Sequence, residues 1–290
     1  INFEKAYKID PNNKEVFRNL TYFYSSYASN LKDKGEFLKA IKYHKKLAKI
    51  DQLNSAAHLS NIGANYRYLE ELDKALEYYN KSLKLNKSYL LGYLNLSEIY
   101  KLKNNHQKFY ETTRHMIDVF KESPKSFTGV LDKTIIKKGY TSYLETLYLL
   151  NKKDEYQKVL NEVINYDTSI ITVAALDTFV SNQFGIKPQY PYCYEPISFI
   201  HFDNIYKDSS LNENLFIKSI KDDLLKFEFI YDKTGKATKG GEQTNSNLLK
   251  NADGNLLILK NIIVEKIKDY RNKIKKENCH FAKKWPKRFT

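Results

Sequence analysis

The sequence predicts a mainly α-helical protein in two parts, an α-solenoid over residues 1–186 and a small α+β segment over residues 187–290. Three observations carry this reading. The first part repeats small and aromatic residues with a 34-residue period, prolines cluster between Pro188 and Pro196, and one β-prone run followed by two apolar helical stripes lies beyond them. A chain of 290 residues also exceeds the roughly 100 to 200 residues of a usual single domain.

Periods of this length are the signature of stacked helical hairpins. The 34 residues from Ala56 to Tyr89 place Leu59, Ile62, Gly63, Tyr66, Ala75 and Tyr79 at the packing offsets of a tetratricopeptide repeat. Small residues at Gly63 and Ala75 let two helices approach, and Tyr66 and Tyr79 fill the space between them. The next 34 residues repeat the register more loosely with Tyr93, Leu96, Ser97, Tyr100 and Phe109. Upstream, Phe17, Leu20 and Tyr24 open one helix and Ala40 marks another; downstream, Tyr140, Tyr143, Leu144, Leu147, Tyr156, Leu160 and Val163 outline a further pair. The first part therefore resembles a tetratricopeptide-repeat solenoid of about four repeats. Phe3, Ala6 and Pro11 match the end of another repeat, so residues upstream of Ile1 are expected. Such solenoids present an extended binding groove, and a protein or peptide partner is expected there. His44, His58, His106 and His115 read as isolated surface or packing residues, and most of the 24 tyrosines read as core.

The net charge of +14 raises the question of nucleic acid. From Pro188 onward there are 19 basic against 13 acidic residues, so the excess is spread along the chain. Its densest cluster, Lys273, Lys275, Lys276, Lys283, Lys284, Lys287 and Arg288 around Trp285, reads as a solvated helix end, and nucleic acid is not an expected partner. No apolar run approaches the ~20 residues that span a bilayer, so no membrane association is expected. Cys193 and Cys279 are too few for a disulfide framework, which suits a reducing, cytoplasmic compartment.

In the second part, Gly185 and the prolines of "GIKPQYPYCYEP" end the solenoid. "ISFIHFDNI" reads as a strand, and Ser210 with Glu213 as a capping box opening a helix with Phe216, Ile220, Leu224 and Phe227 on one face. "EFIYD" extends that helix or forms a short strand. The loop "GKATKGGEQT" follows, and then a helix over 255–276 with Leu256, Leu259, Ile263, Ile267, Tyr270 and Ile274 in one stripe. The loop fails as a phosphate cradle. Gly235 and Gly240 have the spacing, but Gly241 and Glu242 stand where lysine and a hydroxyl residue are required.

The features "CYEPISFIHFDNI", Gly235-Lys-Ala-Thr238, Gly241-Glu-Gln243-Thr244, the leucine-rich helix with Tyr270 and the closing Trp285-Pro286 resemble one family. It comprises tetratricopeptide-repeat proteins with a C-terminal 2-oxoglutarate and iron(II)-dependent oxygenase domain. The resemblance covers residues 188–290. It implies a parent dioxygenase whose cofactors are Fe(II) and 2-oxoglutarate, and whose metal-binding barrel follows the Trp-Pro segment. The catalytic residues are then expected beyond Thr290, with Thr238, Gln243 and Thr244 facing substrate and no metal expected in this chain. His201, Asp203 and His280, with Arg288, mimic the order of an iron triad, but two helical stripes fill the interval where barrel strands are needed. The alternative is a non-enzymatic scaffold whose repeats bind a partner.

Overall fold

The computed structural model describes residues 2–193, 196–204, 212–231, 242–244, 247–283 and 285. They divide into two compact units, one up to Val163 and one from Ile164 on.

In the first unit, α1 (Asn2–Ile9), α2 (Lys14–Asp33), α3 (Phe37–Ile50), α4 (Ser55–Tyr68), α5 (Leu72–Leu85), α6 (Leu90–Leu102), α7 (His106–Glu122), α8 (Val130–Leu149) and α9 (Lys153–Tyr166, whose last residues pass into the second unit) follow one another. From α1 to α8 each helix packs on the next. The expected hairpins are therefore present as α2–α3, α4–α5 and α6–α7, and α8 and α9 are joined by a tight turn and by the Tyr143 hydroxyl donating to Glu155 at 2.7 Å. The close approach of α4 and α5 depends on Gly63, where a Cβ would sit 2.8 Å from the Tyr79 ring. Tyr79 is itself 0% exposed.

One turn recurs in all three hairpins and between α8 and α9. Gly35, Glu70, Asn104 and Asn151 have φ of 75°, 61°, 52° and 54°. In each case the next amide reaches back five residues, from Glu36 to Leu31, Glu71 to Tyr66, Asn105 to Tyr100 and Lys152 to Leu147, over 2.8–3.0 Å. This is the left-handed helix stop that satisfies orphan carbonyls. Only the first has glycine at the left-handed position. An L-residue there costs ~1–2 kcal/mol, so Glu70→Gly is expected to stabilise the unit by about 0.5–1 kcal/mol, after allowing for glycine's looser unfolded chain. Urea unfolding checks this.

The second unit contains α10 (Ile171–Phe184), a short 3-10 turn (Pro196–Phe199), α11 (Glu213–Leu224), β1 (Phe229–Tyr231), β2 (Glu242–Thr244), α12 (Gly254–Ile274) and α13 (His280–Lys283). α10 is fastened to the proline-rich segment after it. The Asp177 carboxylate accepts the Gln189 and Tyr190 amides at 2.7 and 2.8 Å. The Tyr190 hydroxyl in turn accepts the Ile170 amide at 2.8 Å and donates to the Asp167 carbonyl. These bonds place α10 with the residues after it, and the dividing line lies upstream of the prolines. α11 packs on α12, and the Asn255 amide donates to Asp223 at 3.0 Å.

Several expectations need correction here. The run "ISFIHFDNI" forms no strand in its described residues, being a 3-10 turn followed by irregular backbone from Ile200 to Asn204. A strand needs a neighbour for its backbone groups; here the Phe199 carbonyl is instead taken by the Tyr270 hydroxyl at 2.6 Å. Ser210 lies outside the described residues, and the cap of α11 is Asn212, whose side chain accepts the Leu215 amide at 3.2 Å. Of the glycine loop, residues 235–241 lie outside the described residues, and its last three form β2. "EFIYD" supplies β1, the strand of its two expected forms, and the two pair antiparallel with Phe229 opposite Thr244 and Tyr231 opposite Glu242. Among the described residues this three-residue ribbon is the only sheet, so the chain is mainly α and an α+β domain is not shown.

Candidate partner-binding face

Three alternate helices lie side by side, α4 against α6 and α6 against α8. Beside its buried residues each carries a stripe of more open side chains at helical spacing. On α4 the stripe is Ala57, Asn61, Ala64 and Tyr68; on α6 it is Leu91, Asn95, Glu98 and Leu102; on α8 it is Lys138, Thr141, Glu145 and Tyr148. Every one of these side chains is half-buried or exposed.

Polar bonds tie the stripes together. The Asn95 amide donates to the Ser60 hydroxyl at 3.1 Å, and the Lys101 ammonium pairs with Glu145 at 2.7–2.8 Å. Tyr68 stacks on Phe37 with ring centroids 5.2 Å apart, which holds its ring in place. The face thus offers amides at Asn61 and Asn95 for peptide groups, apolar contacts at Leu91 and Leu102, and rings at its edges.

The described residues also form clefts. A cleft of about 500 Å³ in the first unit includes Tyr110, Tyr143, Lys152 and Glu155. Its Glu155 carboxylate is already engaged. Tyr110 and Tyr143 donate to Glu155 at 2.9 and 2.7 Å, and Lys152 lies 3.9 Å from the Tyr110 ring centre. Burial pushes the Glu155 carboxyl up, but these tyrosines and Lys152 outweigh it and hold the carboxyl below its ordinary value. In the second unit a cleft of about 740 Å³ runs along α12 past Phe199, His201, Asp203 and Tyr270. A more apolar one of about 400 Å³ lies between α10 and Tyr192, Phe199 and Phe281.

The residues singled out from sequence are not assembled into a reactive centre. Thr238 lies outside the described residues, and Gln243 and Thr244 sit in β2 opposite Ile230 and Phe229. His201 meets the Lys273 ammonium at 3.0 Å, and Asp203 pairs with Lys266 at 2.9 Å. His280 contacts the Thr168 hydroxyl at 3.3 Å and the Tyr192 ring at 5.7 Å. Arg288 lies outside the described residues. No three His, Cys, Asp or Glu side chains among the described residues are grouped to hold a metal. Lysines lie against His201 and Asp203, and these two are not grouped with His280 among the described residues; the iron implied by the oxygenase resemblance is expected beyond Thr290. Of the terminal basic cluster, Lys284, Lys287 and Arg288 also lie outside. No helix among the described residues is long and apolar enough to cross a membrane.

Sequence reasoning missed one assembly. His44 and His58, read as isolated, are buried neighbours with ring centroids 6.1 Å apart. They are on different helices, so no local spacing announces them.

No family model matches the chain, and no curated protein matches it. Among solved structures, a crystal structure of MamA is 22% identical, covering 54% of this chain and 80% of its own, with a TM-score of 0.38. A tetratricopeptide repeat protein from Parabacteroides merdae ATCC 43184 is 16% identical, covering 77% of each chain, with a TM-score of 0.43.

Proposed function

We propose that the first unit is a scaffold that binds a protein or peptide partner on the open stripes of α4, α6 and α8. The observation that carries this is the set of adjoining open stripes on α4, α6 and α8, furnished with amides, leucines and tyrosines. Stacked hairpins generally use such surfaces for extended partners. The oxygenase resemblance finds no support in the described residues.

Peptide display against the chain tests the reading. The double substitution Asn61→Ala with Leu102→Ala touches exposed side chains only and should leave helicity unchanged. It is expected to weaken selected peptides by about tenfold or more, the loss of one or two contacts worth about 1.4 kcal/mol in total. Peptides that bind the variant and the parent equally would contradict the assignment to this face.

A further inference from the structure

The buried histidine pair between α3 and α4 has no part in the binding face, yet its chemistry is unusual. His44 projects from α3 and His58 from α4, and they are only 8% and 7% exposed. Their ring planes lie 30° apart at a centroid distance of 6.1 Å. Asp51, in the turn joining the two helices, is 8% exposed and faces the His58 Nε2 at 3.2 Å. The Asn54 amide nitrogen also donates to that carboxylate, at 3.0 and 3.2 Å.

Both Nδ1 atoms are buried without a hydrogen-bond partner. Asp51 selects the His58 form with its proton on Nε2, which leaves Nδ1 as a bare lone pair. A proton added to the His44 Nδ1 would become a buried donor with no acceptor. The groups around His44 offer no compensation: His58 faces it from α4, and Lys32 acts on it from α2 with the same sign of charge. The one neighbouring carboxylate, Asp51, is already occupied by Asn54 and His58. A charge in such a place is costly unless paired.

We propose that His44, packed against His58, forms a proton-sensitive latch, which holds α3 on α4 while its imidazole is neutral and loosens that contact when His44 takes up a proton in acid.

Burial first, then His58 and Lys32, push His44 down to about 4 from an ordinary 6.5. The unfolded or opened chain therefore binds the proton before the packed one does. The stabilising neutral state is complete above pH 6.5 and is lost progressively as pH falls towards 4. For His44 alone, the opening equilibrium should rise about 30-fold between pH 7.5 and 5.

Amide hydrogen exchange in α3 and α4, read on the full chain at both pH values after correction for intrinsic rates, measures that equilibrium. The parent is expected to show the ~30-fold increase, and His44→Leu less than about 3-fold. An equal pH response in His44→Leu, or a parent response below about 3-fold, overturns the proposal. If His44→Leu does not fold, the imidazole nitrogen shifts of the parent decide. A His44 ring still neutral at pH 5.5 supports the latch, and a ring that titrates near 6.5 refutes it.

Discussion

Replacing Tyr79 with alanine is expected to cost the first unit about 3–5 kcal/mol, the loss that follows from emptying a buried aromatic site. Tyr79 is 0% exposed and lies directly over Gly63, whose missing Cβ makes room for its ring. That cost is a large share of the ~5–15 kcal/mol by which a domain is stable. Tyr79→Phe should behave in the opposite way. The Tyr79 hydroxyl is buried with no hydrogen-bond partner, and burial pushes its phenol well above the ordinary value. Removing an unpaired buried hydroxyl is neutral or stabilising. Urea unfolding of the two variants distinguishes ring packing from hydroxyl bonding. If phenylalanine cost as much as alanine, the hydroxyl would have a partner and this picture of the α4–α5 contact would be wrong.

The second large effect is expected at Asp177, the fully buried carboxylate of α10. Asp177→Ala would leave the Gln189 and Tyr190 amides without their acceptor, at a cost of about 3 kcal/mol to the second unit. It should also accelerate hydrogen exchange at those two amides. Burial is the largest influence on this carboxyl and pushes it up, and the bonds from Tyr190, Gln189 and Ser181 only partly reverse the shift. A folded-state value above the unfolded one means that the folded form binds the proton more tightly. The stability contributed by this group is therefore complete in acid, below the unfolded value, and is lost as pH rises through the folded one. Asp177→Asn should remove that pH dependence. Unchanged exchange at Gln189 and Tyr190 in the alanine variant would rule out the fastening role.

The hairpins were legible because their contacts use residue types with few other reasons to recur. Gly63, Ala75 and Tyr79 announce a close helix crossing by size alone. The turns were less legible: Gly35 advertises a left-handed stop, whereas Glu70, Asn104 and Asn151 occupy the same geometry without glycine. The proposed face could not be named residue by residue from the sequence, since its stripes depend on what neighbouring helices leave uncovered. Contacts between distant residues stayed hidden, including His44 with His58, Asp177 with the Gln189 and Tyr190 amides, and β1 with β2. The β-prone "ISFIHFDNI" misled because alternation describes one strand, while a strand exists only when a neighbour takes its backbone groups. Asn212 displaced Ser210 as the cap because both residue types serve equally well there.

Partner binding is proposed to take place on α4, α6 and α8. A hydrogen-exchange and cross-linking footprint of a selected peptide on the full chain tests it most directly. Protection and cross-links are expected on the open stripes, at Asn61, Tyr68, Asn95, Leu102 and Tyr148. A footprint confined to the outer faces of α3, α5 and α7, or to the second unit, would contradict it.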